Sequence, residues 1–201
     1  MELGVRTRAR HLAARYFEER GARLLHALKL TPMAVTLMGL SVSAVAAYLA
    51  AIGYFLPAAL VLLLAGIMDM LDGALARLTN GVSVFGAALD SFADRIAEGL
   101  LLLGLLIFFL DEDTSVGVVL VFLVFMASYM VSYLRARAEG LGINMGEVGL
   151  FTRTERVLVI VLGLLTNMAN LVLVALAIVL VLSVFTSGQR LYHVWRHARG
   201  E

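Results

Sequence analysis

Long apolar segments, separated by short polar breaks, dominate this chain and restrict what it can fold into. The segments lie at about 33–53, 55–76, 84–110, 115–138, 150–168 and 170–195. A helix needs about 20 apolar residues to cross a bilayer core of roughly 30 Å, and a backbone in lipid must satisfy its own hydrogen bonds. We therefore expect an all-α integral membrane protein with six transmembrane helices.

Composition agrees with this expectation and limits the chemistry that the chain can perform. Of the 201 residues, 61% are hydrophobic and only 15% are charged, which excludes an ordinary soluble domain. The chain contains two prolines and no linker-like stretch, so residues 32–201 are predicted to form one six-helix domain. Cysteine is missing from the sequence, which excludes disulfides, thiolate chemistry and zinc bound through sulfur.

The first 31 residues differ from the rest because they are basic and lack a continuous apolar core, so they are not a signal peptide. We predict that residues 1–31 form a juxtamembrane surface helix whose arginines suit anionic headgroups. A basic cytosolic tail is the alternative reading. The basic residues are Arg6, Arg8, Arg10, Arg15, Arg20, Arg23 and Lys29.

Charge asymmetry orients the chain, because cytoplasmic loops collect Lys and Arg. With six spans and the basic N-terminus inside, the basic loops and the basic tail all fall on the cytoplasmic side. The opposite side receives only DEDTS and TNMAN. We expect a multi-pass protein of the cell (inner, cytoplasmic) membrane with both termini in the cytoplasm. The inside residues are Arg77, Arg135, Arg137, Arg153, Arg156, Arg190, Arg196 and Arg199.

The second and third segments carry acids where the hydrocarbon boundary should lie. Their continuously apolar parts are only Pro57–Met68 and Gly99–Leu110, roughly 18 Å each at 1.5 Å per residue. The polar extensions must therefore be shielded by protein or face a wet cavity.

Four aspartates occupy these extensions. Asp69 and Asp72 are three residues apart, and Asp90 and Asp94 are four apart, so each pair shares a helix face. A hairpin through Gly81 would bring all four together. Unpaired carboxylates at such a place would repel one another, and hard divalent cations with oxygen ligands relieve this. The pattern predicts Mg²⁺ or Mn²⁺.

Glycines accompany the acids. Gly86, Asp90 and Asp94 follow one another at four-residue intervals, and the missing side chain of Gly86 leaves room for a ligand. Gly73 would let a phosphate or base approach the backbone, and Arg77 could pair with phosphate oxygens.

This segment resembles the signature of the CDP-alcohol phosphotransferases, D-x2-D-G-x2-A-R-x8-G-x3-D-x3-D. Every specified position is matched, by Asp69, Asp72, Gly73, Ala76, Arg77, Gly86, Asp90 and Asp94. The resemblance implies a six-helix membrane enzyme, commonly a homodimer, that displaces CMP from a CDP-linked donor with an acceptor hydroxyl.

The resemblance also assigns roles. It implies that the four aspartates hold two divalent metals, Mg²⁺ or Mn²⁺, and that Asp90 and Asp94 are catalytic, with Asp94 as the general base. It places the cytidine nucleotide against the first two aspartates and against the small and basic residues that follow them. A Pro-x-x-x-Thr pattern at the first span extends this set. The implied nucleotide contacts are Asp69, Asp72, Gly73, Ala76, Arg77, Gly86, Pro32 and Thr36.

A second basic cluster, in SYLRARAEG and GLFTRTERV, bears on the acceptor. Guanidinium groups suit a phosphate monoester, which favours a phosphorylated alcohol over choline, ethanolamine or serine. Positive-inside bias alone is the alternative explanation. The two segments look like those of prokaryotic phosphatidylinositol-phosphate synthases and their archaeal ether-lipid counterparts, with Arg135 in place of a lysine. The implied phosphate-binding residues are Ser132, Arg135, Arg137, Arg153 and Arg156.

The expected reaction therefore joins CDP-diacylglycerol, or its ether-lipid equivalent, to inositol phosphate at the cytoplasmic face. Glycerol-3-phosphate is the nearest alternative acceptor, since its phosphate also requires a basic pocket. A cation transporter is the rival from another class, although its acids should be spread along a path rather than concentrated at one depth. Membrane lipids and a second copy of the chain are expected partners, and nucleic acid is not.

Overall fold

The computed structural model describes residues 18–146 and 148–199, and all regular structure in these ranges is α-helical. Residues 18–27 are helical and are named α1. The helices that follow are α2 (Pro32–Ala51), α3 (Phe55–Leu78), α4 (Val84–Asp111), α5 (Ser115–Gly140), α6 (Arg153–Leu165) and α7 (Ala169–Ala198). The all-α fold expected from the sequence is confirmed.

Each of the six apolar segments is a helix, and four of the described helices are long and apolar enough to cross a membrane, namely α2, α3, α5 and α7. The remaining two depart from that criterion for different reasons. Although α4 has 28 residues, it carries the acids Asp90, Asp94 and Glu98. At 13 residues, α6 is only about 20 Å long at 1.5 Å per residue.

Local turns explain why α6 is shorter than the predicted segment at 150–168. Gly149 has φ 108°, and Thr152 is extended with its backbone N–H donating to the side chain of Glu155 at 2.8 Å. This capping arrangement begins the helix at Arg153. Asn167, with φ 54°, lies in the turn that follows α6.

The predicted N-terminal surface helix falls only partly in the described ranges, because residues 1–17 lie outside them. The helical residues 18–27 belong to a compact unit that also contains residues 28–44 and 61–97. In its core, Ala22 of α1 packs with Val35, Ala74 and Leu75. Small side chains at this point let α1 approach α2 and α3 closely.

A second compact unit contains residues 45–60, 98–146 and 148–199. Its buried core includes Leu101, Leu105, Val124, Ile160 and Leu176. Glycines permit close backbone approach in this unit. A Cβ on Gly104 would lie 2.2 Å from the backbone oxygen of Ala47, and a Cβ on Gly163 would lie 2.7 Å from the Cβ of Ala175.

The contact of Gly104 with the backbone of α2 gives a direct test of the packing. We expect Gly104→Ala to lower the free energy of unfolding by about 2 kcal/mol, because a backbone atom cannot rotate away as a side chain can. Thermal unfolding in detergent measures this. The matched control is Gly66→Ala in α3, where a Cβ would have no neighbour within 4 Å; it should gain about 0.5–1 kcal/mol from helix propensity. Equal behaviour of the two variants would contradict the close approach.

Candidate functional site

The turn between α3 and α4 is the hairpin through Gly81 that the positions of the four aspartates predict. Asn80 adopts φ 51°, and the Gly81 N–H donates to the carbonyl of Ala76 at 2.9 Å. The hydroxyl of Ser83 then accepts a hydrogen bond from the Gly86 N–H at 3.0 Å, which caps the first turn of α4. The local sequence thus ends one helix and begins the next within five residues.

Three of the four predicted carboxylates meet across this hairpin. Asp69 of α3 and Asp90 and Asp94 of α4 each offer an oxygen, and these oxygens lie within 4.8 Å of one another. Asp69 and Asp94 are half-buried. Three carboxylate oxygens at this spacing, with no sulfur or imidazole ligand among them, fit a hard divalent cation.

The fourth carboxylate, Asp72, is buried, with an exposed fraction of 5%. The hydroxyl of Thr36 donates to its Oδ2 at 2.5 Å, and the same hydroxyl lies 3.1 Å from the Pro32 carbonyl. The charges of Asp69 and Asp90 also act on Asp72. Thr36 and Pro32, which the resemblance assigned to the nucleotide, therefore lie beside the acidic cluster at the start of α2.

The remaining nucleotide candidates follow the acids along the same hairpin. A Cβ on Gly73 would lie 3.4 Å from Nη1 of Arg77. Ala76 is half-buried, whereas Gly86 is exposed at the start of α4. Arg77 is exposed, and its Nη2 lies 3.0 Å from the carboxylate of Glu18 in α1. Sequence reasoning missed Glu18, because nothing local links it to an arginine 59 residues away.

The predicted acceptor residues lie in the second unit, on the last turns of α5 and the first turn of α6. Arg135 and Arg137 are exposed, and Arg135 pairs with Glu139 one turn further on at 2.9 Å. Ser132 and Arg153 are half-buried.

Arg156 differs from the other arginines because its side chain is fully buried. Its Nε and Nη2 donate to the two carboxylate oxygens of Glu98 at 2.8 and 2.9 Å. This bidentate pair ties α6 to α4 and compensates both charges. The Glu98 carboxylate of α4 thus pairs with a base on another helix. Nη1 of Arg156 has no hydrogen-bond partner within the described ranges.

Sequence reasoning missed a further buried arginine, Arg190 of α7. It donates to the carbonyl of Val131 at 2.5 Å and to that of Val148 at 3.0 Å. The charges of Arg135 and Arg156 act on it. Arg190 lies inside the predicted last span, where an arginine requires polar partners. Its position in that apolar segment was therefore a signal that the sequence already contained.

Arg190 also helps hold the loop between α5 and α6 against α7. A Cβ on Gly149 would lie 2.9 Å from Nε of Arg190, and the Leu150 N–H donates to the side chain of Gln189 at 3.2 Å. Four hydroxyls of this unit are buried without a hydrogen-bond partner among the described residues. They belong to Ser128, Ser183, Thr186 and Ser187. Such groups are costly unless water or a ligand satisfies them.

Comparison with known proteins identifies the family of this chain. Residues 29–187 match the model of the CDP-alcohol phosphatidyltransferase family. The chain is 38% identical over 184 residues to phosphatidylinositol phosphate synthase of Mycobacterium marinum, covering 87% of this chain and 77% of that protein. It is 35% identical over 175 residues to archaetidylinositol phosphate synthase of Pyrococcus horikoshii, covering 87% and 88%.

Solved structures show the same fold. The Mycobacterium tuberculosis phosphatidylinositol phosphate synthase with CDP-DAG bound superposes with a TM-score of 0.81 at 33% identity, covering 89% of this chain and 93% of that one. The same enzyme in complex with manganese and citrate gives a TM-score of 0.82, also at 33% identity, covering 89% and 88%. The chain therefore belongs to the CDP-alcohol phosphatidyltransferase family.

Proposed function

We propose that this enzyme transfers the phosphatidyl group of a CDP-linked lipid to a hydroxyl of inositol phosphate and releases CMP. The observation that carries the proposal is the convergence of Asp69, Asp90 and Asp94 within 4.8 Å, at positions that complete the family signature. The relatives named above, which supply the acceptor class, are matched over most of their length.

In the proposed reaction, the oxygen of the acceptor hydroxyl forms a bond to the phosphorus that carries the lipid. The bond from that phosphorus to the oxygen of CMP breaks, and CMP leaves with the bonding electrons. The acceptor's proton passes to Asp94, which would act as the general base. No oxidant or further co-reactant is needed.

The four aspartates would hold two divalent cations, and the donor set fits them. Three carboxylate oxygens within 4.8 Å, with the charge of Asp69 also acting on Asp72, form an oxygen-only site suited to Mg²⁺ or Mn²⁺. When bound, the cations would neutralise charge on the donor pyrophosphate and the departing CMP. A solved relative contains manganese.

The residues around the acids would place the nucleotide. Thr36 donates to Asp72 at 2.5 Å and so fixes the orientation of that carboxylate. Glu18 holds Arg77 at the end of α3, from where its guanidinium could pair with a phosphate oxygen. The full proposed set is Pro32, Thr36, Asp69, Asp72, Gly73, Ala76, Arg77 and Gly86.

The acceptor phosphate would bind the arginines of the second unit. The exposed guanidinium of Arg137 and the half-buried one of Arg153 are the proposed direct contacts, together with Arg135 and Ser132. Because Arg156 already makes a bidentate pair with Glu98, its proposed contact is limited to Nη1. Arg190 extends this basic set from α7.

Inositol phosphate is favoured over glycerol-3-phosphate because the relatives named above are synthases of phosphatidylinositol phosphate or archaetidylinositol phosphate and because α5 carries a buried hydroxyl that lacks a protein partner in the described ranges. Ser128 is buried with no protein partner for its hydroxyl in the described part of the chain, and inositol carries several hydroxyls. The donor is proposed to be CDP-diacylglycerol or its ether-lipid equivalent. Family membership removes the reason to consider a cation transporter.

We also propose that all six helices α2–α7 span the membrane, preceded by the surface helix α1 at residues 18–27, with both termini and the active site at the cytoplasmic face. The basic residues at the ends of α3, α5 and α7 support this orientation. Since the chain has no cysteine, single cysteines at Asp113 and Asn144 can be labelled with an impermeant maleimide in cells. Labelling of position 144 before lysis would overturn the orientation. A homodimer is proposed from the family resemblance, and light scattering of the purified protein tests it.

The first prediction of the proposed function concerns the acceptor. Purified protein in lipid, with CDP-diacylglycerol and Mg²⁺, should release CMP when inositol phosphate is added, and much less with glycerol-3-phosphate, free inositol or serine. Omission of the metal is the control. Release with glycerol-3-phosphate alone would overturn the assignment of inositol phosphate as the acceptor. If no acceptor supports release, the same assay is repeated with a CDP-linked ether lipid. Failure with both donors would overturn the proposed reaction.

The second prediction separates the roles of two aspartates. Asp94→Asn should lower turnover by at least about 10²-fold, because it removes the general base, while CDP-lipid binding stays substantial. Asp69→Asn should weaken metal-dependent binding as well. Turnover and CDP-lipid binding with and without Mg²⁺ measure both effects. Asp111→Asn, at the exposed end of α4, is the matched control. Near-normal turnover of Asp94→Asn would show that the base is another group.

The third prediction concerns the phosphate pocket. Arg137→Gln should raise the KM for inositol phosphate on the order of tenfold, because a charged hydrogen bond is lost, and leave the KM for CDP-diacylglycerol unchanged. Arg23→Gln removes the same charge from α1, where Arg23 pairs with Glu19, and should change neither KM. An unchanged KM for inositol phosphate in Arg137→Gln would place the phosphate elsewhere.

A further inference from the structure

The last turns of α7 lie beyond what a membrane span requires. The helix has 30 residues, about 45 Å at 1.5 Å per residue, against roughly 30 Å for the bilayer core. Its first part is largely apolar, and the charged residues begin at Arg190. The end of α7 is therefore expected at the level of the lipid headgroups.

A groove lies along this end of the helix, with a volume of ≈ 390 Å³ and a lining of Gly188, Leu191, Tyr192 and Trp195. These positions follow one another at three- and four-residue spacing and so share one helix face. All four are exposed. The groove is open at Gly188, where a Cβ would have no neighbour within 4 Å.

The groove has an aromatic wall and a cationic end. The rings of Tyr192 and Trp195 stack with centroids 5.7 Å apart. The guanidinium of Arg199 lies over the Trp195 ring, 4.0 Å from its centroid. An apolar slot that ends at the guanidinium of Arg199 is complementary to a molecule with a hydrocarbon tail and an anionic head.

We propose that this groove, at Gly188, Leu191, Tyr192 and Trp195, binds an anionic phospholipid of the surrounding bilayer. One acyl chain lies along the aromatic wall, and the phosphate pairs with Arg199. The site uses none of the residues assigned to the reaction, and its existence does not depend on the acceptor or the donor.

Trp195 supplies the reporter, because it is the only tryptophan in the chain. The purified protein is placed in vesicles of phosphatidylcholine in which a fraction of the lipid is replaced by dibrominated phosphatidylglycerol or by dibrominated phosphatidylcholine. Bromine quenches tryptophan fluorescence on contact. We expect phosphatidylglycerol to associate about fivefold more strongly than phosphatidylcholine, the preference that one arginine near a headgroup supplies. No step of the assay requires turnover.

Three variants make the outcome specific. Arg199→Gln should reduce the preference to near one, and Gly188→Leu should do the same by filling the groove. Arg23→Gln, which removes an equal charge from α1, should leave the preference unchanged. The proposal is overturned by equal quenching with both lipids, by an equal fall in Arg199→Gln and Arg23→Gln, or by an unaltered preference in Gly188→Leu. Protection from both brominated lipids would also overturn it, since protein, such as a second copy, would then cover the face.

Discussion

Mutual repulsion among carboxylates at the edge of apolar helices is the constraint from which the catalytic half of this structure follows. Four aspartates cannot remain ionised in such a place unless cations or hydrogen bonds compensate them. The short hairpin between α3 and α4 concentrates three of them within 4.8 Å, and Thr36 supplies a hydrogen bond to the fourth. This arrangement of carboxylates does not stabilise helix packing by itself, but it suits the binding of a cation.

A related constraint shapes the basic half. An arginine buried among apolar helices needs an anion or several carbonyls, and the two arginines that are buried in the described part of the chain meet this need differently. Arg156 takes the carboxylate of Glu98, while Arg190 takes the carbonyls of Val131 and Val148. Both arginines thereby fasten one segment to another. Arg137, by contrast, is exposed at the end of α5.

The sequence predicted the helices well because each apolar segment is long and its ends carry turn residues. It predicted that aspartates of α3 and α4 meet, because each pair lies on one face of its helix and the turn between the two helices is short; three of the four carboxylates do so. It predicted α6 poorly at its ends, where the conformations of Gly149 and Thr152 set the boundary. The bond between Arg156 and Glu98 joins residues 58 apart, and no local pattern encodes such a distance.

The sequence by itself determined the all-helical class, the order of the helices and the carboxylates available for a metal, because these depend on periodicity and on spacing within one or two turns. Only the tertiary structure decided which charges are satisfied inside the protein. It buried Arg156 and Arg190, left Arg137 exposed, and brought Glu18 to Arg77. The physical reason is that burial and pairing are set by contacts between segments distant in the chain, whereas helix formation and face periodicity are set by neighbours.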